Sequence, residues 1–242
     1  MAELGIARRG DVVELVLPGR RDARLTPDLD AELHEAAAEI DVDETVRAVV
    51  LRSRGPDFCT GATESEGAPD GIAAVASLRA PVIALVSGRA LDEGLELALA
   101  CDLRIAAADA RLGLTQVGAG RMPTHGGTQR LPRVVGYGRA LQMILLAETI
   151  GAPRAVRLGL AMRSVPRGRL VAEGRKLATV VADRGPIAQR LGKEALRAAG
   201  DLPLAEGLRL EGDLYVLLQS TRDRHEGIAS FRERRKPRYR GR

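Results

Sequence analysis

The apolar run Pro81-Val82-Ile83-Ala84-Leu85-Val86, followed by Ser87-Gly88-Arg89-Ala90 and then by Leu91-Asp92-Glu93-Gly94-Leu95-Glu96-Leu97-Ala98-Leu99-Ala100-Cys101-Asp102, constrains the fold more than any other stretch of this chain. An unbroken apolar segment of this length predicts a buried strand, Gly88 a turn, and Gly94 to Cys101 a short helix. A buried strand that feeds a helix through a tight turn belongs to a layered α/β core, where chemistry collects on the connections at strand ends. Three carboxylates, Asp92, Glu93 and Glu96, crowd the first turn of this helix. Backbone N–H groups at a helix start have no intrahelical partner and can receive a developing oxyanion, and Glu96 lies one turn further in over the same face. The pattern predicts a proton-transfer site.

The flanking segments extend this core. Residues 4 to 17 alternate, most clearly in Val12-Val13-Glu14-Leu15-Val16-Leu17, and predict a hairpin turning at Arg9-Gly10-Asp11. Thr26 is expected to cap a helix with Pro27 at its first position and Leu29, Leu33, Ala37 and Ile40 along its apolar stripe. Val46 to Leu51 reads as the next strand. The turn-rich segment from Gly55 to Gly71, a loop able to cover a site, leads into a modest helix to Leu78. Short strands are expected near 103–106 and 111–114, followed by a glycine-rich loop. Beyond about residue 137 the pattern changes to helices at 137–147, 152–159, 169–184, 186–199, 203–219 and 222–234, with no strand among them. The 242 residues divide on this reading into a core with the site, 1–185, and a C-terminal helical region, 186–242.

Aromatic residues make up only 2% of the chain and Trp is absent, so Ala, Leu, Val and Ile must fill the core. The formal charge of +5 is carried almost wholly by arginine and favours anionic ligands. Nucleic acid is a poor fit, because neither stacking aromatics nor a recognition motif accompanies the charge. The run Arg232 to Arg242 reads as a solvated tail or a local phosphate clamp. No apolar run approaches the roughly 20 residues that span a bilayer, and the N-terminus has no basic segment followed by an apolar one, so a cytoplasmic protein without membrane association is expected. Cys59 and Cys101 lack metal-ligand spacing and an adjacent His, and are expected to be reduced packing residues. His34 and His225 read as helix-surface residues.

Four segments stand in a fixed order: Phe58-Cys59-Thr60-Gly61-Ala62, Gly88 to Asp102, Gly126-Gly127-Thr128-Gln129-Arg130-Leu131-Pro132, and Glu226 to Phe231 with Arg234-Arg235-Lys236-Pro237. In this order and spacing the chain resembles the enoyl-CoA hydratase/isomerase, or crotonase, family. The resemblance implies a spiral core of ββα repeats and C-terminal helices that build a homotrimer, often a dimer of trimers (a hexamer). It implies an acyl-CoA substrate, coenzyme A entering as part of that substrate, with no metal or redox cofactor. It also implies that the backbone N–H groups of Ala62 and Glu93 hold the thioester oxygen of an enolate. Two such amides contribute roughly 3 kcal/mol each to lowering the barrier. The CoA phosphate and adenine end is expected near Arg20, Arg21, Thr60 and Ala62, with Phe231 and Arg234 contributed at a subunit boundary.

The chain departs from the family at informative places. Two glutamates flank the substrate in typical hydratases; Glu96 keeps the first, and Gln116 stands at the second. A carboxamide carries no proton between water and carbon, although it can orient water. Glu93 replaces the usual glycine at the second oxyanion donor, with Asp92 before it. If these acids share a low-dielectric pocket with Glu96 they raise its pKa by like-charge repulsion; otherwise they favour the helix N-terminus and face solvent or arginines. Thr124 stands where some relatives carry an additional acid, and the neighbouring His125 has a side chain suited to proton transfer near neutral pH. Three functions fit this residue set: hydration or isomerisation of an acyl-CoA with Glu96 as acid and base, binding of an acyl-CoA without turnover, and RNA binding, for which only the arginine-rich C-terminus speaks.

Overall fold

In the computed structural model, which describes residues 3–19, 22–63 and 70–242, the alternation of the first residues becomes a hairpin. β1 (Gly5–Arg9) pairs antiparallel with β2 (Val12–Leu17), and Gly10 turns between them at φ 61°. Thr26 caps α1 (Pro27–Val42) by accepting the Leu29 amide, and Leu29, Leu33, Ala37 and Ile40 are all buried as its stripe requires. β3 (Ala48–Ser53), α2 (Gly71–Ser77), β4 (Val82–Val86), β5 (Arg89–Leu91), α3 (Glu93–Ala100), β6 (Leu103–Ala107) and β7 (Arg111–Gly113) follow in order.

Three corrections apply to the reading from sequence. α4 (Gly127–Val135) occupies part of what was expected to be a glycine-rich loop, despite Pro132 inside it. Two strands interrupt the segment expected to be purely helical, β8 (Thr149–Gly151) and β9 (Arg163–Val165), between α5 (Tyr137–Leu145), α6 (Ala152–Arg157) and α7 (Leu170–Ala182). The turn after Gly88 also contains β5, which pairs with β7. These strands have three residues each, too few for a period to register. α8 (Pro186–Ala198), α9 (Leu204–Gln219) and α10 (Arg222–Arg232) complete the chain.

The larger sheet has the order β1-β2-β3-β4-β6-β9, parallel from β2 onward, and a second sheet has the order β5-β7-β8. One face of the larger sheet packs on α7 through Ala48, Val50, Ile83, Leu85 and Ile105 against Leu170 and Ala178. The opposite face, with Val49, Leu51 and Ala84, joins the core built with α1, α2 and α3. Buried on both faces, β4 is apolar throughout, as parallel strands are. Through β5 it leads into α3, which packs against β5, α2 and α4. The far end of α3 is pinned by Arg104 of β6, whose buried guanidinium donates to the carbonyls of Cys101 at 2.6 Å, Ala98 at 3.2 Å and Leu160 at 2.8 Å. A cation on the C-terminal carbonyls of a helix is favourably placed in its dipole.

Candidate active site

The start of α3 is built by close approach of backbone. Leu91 N–H donates to the Cys59 carbonyl at 2.9 Å, and Cys59 bridges to Ala90. A Cβ at Gly94 would collide with that same carbonyl, so the position requires glycine and brings the 59–62 segment against the helix start. Asp92, the residue before the helix, has φ 53° and ψ −122°, a conformation that favours glycine. Its carboxylate holds Thr115 by accepting the backbone N–H at 2.6 Å and the hydroxyl at 2.9 Å. Asp92 therefore clamps the segment that carries Gln116, rather than facing solvent or ligand.

Glu96 is fully buried. Its Oε1 accepts the amides of His125 and Gly127, both at 2.8 Å, and its Oε2 accepts Gln116 Nε2 at 3.3 Å. Gly127 is the first residue of α4, so the helix missing from the sequence reading aims its free N-terminal amide at the carboxylate, where an anion is favoured. Any side chain at Gly127 would put its Cβ 2.9 Å from Glu96 Oε1. Burial nevertheless dominates and pushes the Glu96 carboxyl above its ordinary range; the two amides oppose this, and the Glu93 charge adds the smallest push. Like-charge repulsion, the cause of a raised Glu96 pKa weighed from sequence, is thus secondary to burial. Gln116 is itself buried, and its Oε1 has no protein partner.

The largest departure from expectation concerns the two oxyanion donors. Glu93 is 5% exposed, and its side chain folds back so that Oε2 accepts the Ala62 N–H at 3.0 Å. Arg121 Nη1 lies 3.4 Å from the other oxygen. The Ala62 donor is therefore engaged by the protein's own carboxylate, while the Glu93 N–H has no acceptor among the described residues. Of the alternatives the sequence left open for Glu93, the side chain turns from solvent and pairs with an arginine, Arg121.

A cavity of about 420 Å³ opens in front of this pair. Leu25, Pro27, Ile72 and Met122 supply its apolar wall, and Ala62, Glu93, Arg121, Thr124 and His125 its polar side. Asp30 and Asp70 also line it; burial, and then the neighbouring Asp70, raise the Asp30 carboxyl above its ordinary value. His125 Nδ1 stands 3.6 Å from Asp70 Oδ1. Thr124 and His125 thus line the cavity, and His125 meets Glu96 through its backbone rather than its ring.

None of the remaining expected ligands among the described residues lines this cavity. Thr60 donates its hydroxyl to the Asp22 carbonyl at 2.5 Å. Arg20 and Arg21 lie outside the described residues. Phe231, 85% exposed, lines a separate apolar cleft with Ile228 and Tyr239, and Arg234 is exposed. Cys59 and Cys101 are buried thiols pushed up to about 12, which removes them as nucleophiles. Among the described residues no helix is long and apolar enough to cross a membrane.

Comparison with known proteins agrees with this fold. The family model for enoyl-CoA hydratase/isomerase matches residues 12–242. The chain is 38% identical to 2,3-dehydroadipyl-CoA hydratase of Escherichia coli, with all of both chains covered. It is 36% identical to (E)-benzylidenesuccinyl-CoA hydratase of Thauera aromatica, with 90% of each covered. A crystal structure of an enoyl-CoA hydratase from Bacillus anthracis superposes with a TM-score of 0.94 at 36% identity over the whole of both chains. A spiral α/β core with Glu96 seated beneath α4, matched along its length in sequence and in three dimensions, makes this chain a member of the enoyl-CoA hydratase/isomerase family with the crotonase fold.

Proposed function

We propose that this protein hydrates a 2-enoyl-CoA thioester with Glu96 as its single proton carrier, the amides of Ala62 and Glu93 as the oxyanion hole, and Gln116 as the residue that orients water. The seat of Glu96 carries this reading: a buried carboxylate, oriented by the His125 and Gly127 amides and by Gln116, with its pKa raised toward the range in which one group both takes and returns a proton. The hydratases of Escherichia coli and Thauera aromatica support a CoA thioester as substrate.

A water held against Gln116 Oε1 gives a proton to Glu96 as its oxygen bonds to C3. The C2–C3 π electrons move toward the thioester carbonyl, whose oxygen gathers negative charge against the two amides. Glu96 then returns the proton to C2 and ends as it began, so one water has been added across the double bond. CoA enters only as part of the substrate, and this scheme uses no metal or redox cofactor. Isomerisation needs the same base to move a proton from C2 to C4, and the amide at position 116 is compatible with it.

A second reading, binding of an acyl-CoA without turnover, is favoured by one observation: Glu93 sits on the Ala62 donor. Loss of the conjugated absorbance of short 2-enoyl-CoA thioesters separates the two. Hydration predicts the loss; retained acyl-CoA binding without it at any chain length favours the second reading. A homotrimer completes the proposal, because Leu204, Leu208, Val216, Leu217 and Phe231 of the C-terminal helices are exposed in the single chain. Sedimentation distinguishes this trimer from a hexamer made of two trimers. RNA binding would weaken steeply with salt and survive excess CoA.

A further inference from the structure

The Glu93 carboxylate joins three facts that the hydration scheme leaves unused. Its Oε2 lies on the Ala62 N–H at 3.0 Å, the place a thioester oxygen would take. Its Oε1 faces the Arg121 guanidinium, which is partly exposed on the cavity wall. Arg121 in turn is tied through its backbone N–H to the Gln116 carbonyl at 3.0 Å, so its base does not move independently of the residue beside Glu96.

A carboxylate on a backbone amide is a charge-assisted hydrogen bond, stronger than the one a neutral carbonyl makes there. An incoming thioester oxygen competes with it at a disadvantage, and an enolate forming beside an unmoved carboxylate would meet like charge. Ala62 and Glu93 line the cavity, whereas Glu96 and Gln116 are buried behind it. The free protein thus presents an oxyanion hole already filled by its own side chain. The neighbouring cation lies within reach of the same carboxylate and can hold it once it leaves the amide.

We propose that the Glu93 carboxylate is a displaceable internal ligand of the Ala62 oxyanion donor, closing the thioester site of the free protein, and that Arg121 receives it when an acyl-CoA binds. This rests on the acyl-CoA reading for the identity of the displacing ligand. It assigns Glu93 two opposed parts: its backbone N–H helps hold the oxyanion, and its side chain competes with it. Substrates must therefore displace the cap, which makes Glu93 a specificity-determining residue for thioesters whose carbonyl is a good acceptor.

The test titrates butyryl-CoA, which is saturated and cannot be hydrated, and free CoA into wild type, Glu93→Ala and Glu93→Gln by calorimetry. Removing a charge-assisted competitor predicts butyryl-CoA binding tighter by about tenfold or more in Glu93→Ala, with Glu93→Gln between the two, and free CoA binding equally to all three. Unchanged or weaker butyryl-CoA binding by Glu93→Ala overturns the proposal, as does a gain that free CoA shares. If none of the proteins binds a CoA thioester, the acyl-CoA reading fails, and the cap is judged separately by deuterium exchange at the Ala62 amide. Exchange faster by about tenfold or more in Glu93→Ala than in wild type supports the cap; equal exchange overturns it. If Glu93→Ala does not fold, Glu93→Gln carries the same comparisons with the same signs.

Discussion

Gln116 donates from Nε2 to Glu96 Oε2 at 3.3 Å, while its own Oε1 is buried without a protein partner. The neutral amide tolerates an ionised Glu96 at this distance, and the open Oε1 gives a water a place to donate. A glutamate here would set two carboxylates side by side, and one of them would keep its proton. In the proposed hydration the pair supplies one proton carrier, Glu96, and one polar guide, Gln116.

Gln116→Glu restores a second titratable group and is expected to raise the turnover number for hydration by about tenfold to a hundredfold, within the range a positioned acid or base supplies. Steady-state kinetics on a 2-enoyl-CoA check it. An unchanged turnover number would mean that the missing carboxylate does not limit the reaction.

Burial raises the Glu96 carboxyl above the ordinary 4.5, and the carboxylate is the form that accepts a proton from water. The acid limb of kcat/KM should consequently lie above pH 4.5, and a limb at or below it contradicts the assignment. The same shift has a sign for stability. A raised pKa in the folded protein gives stability that is present below the unfolded value and lost as pH rises through the folded one. Glu96→Gln is therefore expected to unfold at higher urea than wild type near pH 7, with the gap closing toward about pH 4.

Asp92 combines φ 53° with two hydrogen bonds to Thr115. Asp92→Ala keeps the unfavourable backbone and loses the clamp, and should cost about 2 kcal/mol. Asp92→Gly relieves the backbone while losing the same bonds, so it should cost less than Asp92→Ala. Urea midpoints of the two variants decide; equal losses would contradict the claim that strain is stored here.

Glu14, almost fully buried, gathers Arg175 at 2.6 Å, Arg9 at 3.0 Å and Arg52 at 3.2 Å across β1, β2, β3 and α7. The Arg175 hydrogen bond leads in holding its carboxyl down at about 2. A depressed pKa gives stability present above the ordinary 4.5 and lost as pH falls from there through about 2. Glu14→Ala removes charge-assisted hydrogen bonds to three arginines that solvent still reaches, and should cost roughly 1–3 kcal/mol at neutral pH. A loss below about 1 kcal/mol, the worth of an ordinary surface pair, would contradict it.

The legible parts of this molecule are those that local chemistry fixes. The Thr26-Pro27 helix start, the Gly10 hairpin, the apolar β4 and the placing of Glu96 on the helix after it follow from caps, periods and glycines, and all stand in the fold. α4 was illegible because Gly126, Gly127 and Pro132 look like punctuation. Pro132 removes one intrahelical bond, and the helix persists because buried Leu131 anchors it. β8 and β9 exist because a partner strand offers its edge, which no three-residue window reveals. The turn of Glu93 onto Ala62 depends on side-chain torsions and on Arg121, twenty-eight residues away in sequence and near only after folding. A carboxylate where the resembled family has a glycine, at an expected oxyanion donor, was the available signal, and it gave position without direction.

The most direct measurement is the rate at which wild type and Glu96→Gln abolish the conjugated absorbance of a short 2-enoyl-CoA, with butyryl-CoA binding measured on both. The account predicts turnover by wild type and a fall in kcat/KM of about two to four orders of magnitude in Glu96→Gln with butyryl-CoA binding retained. Hydration by Glu96→Gln at the wild-type rate, or no loss of absorbance with wild type at any chain length, would contradict Glu96 as the proton carrier of an acyl-CoA hydratase.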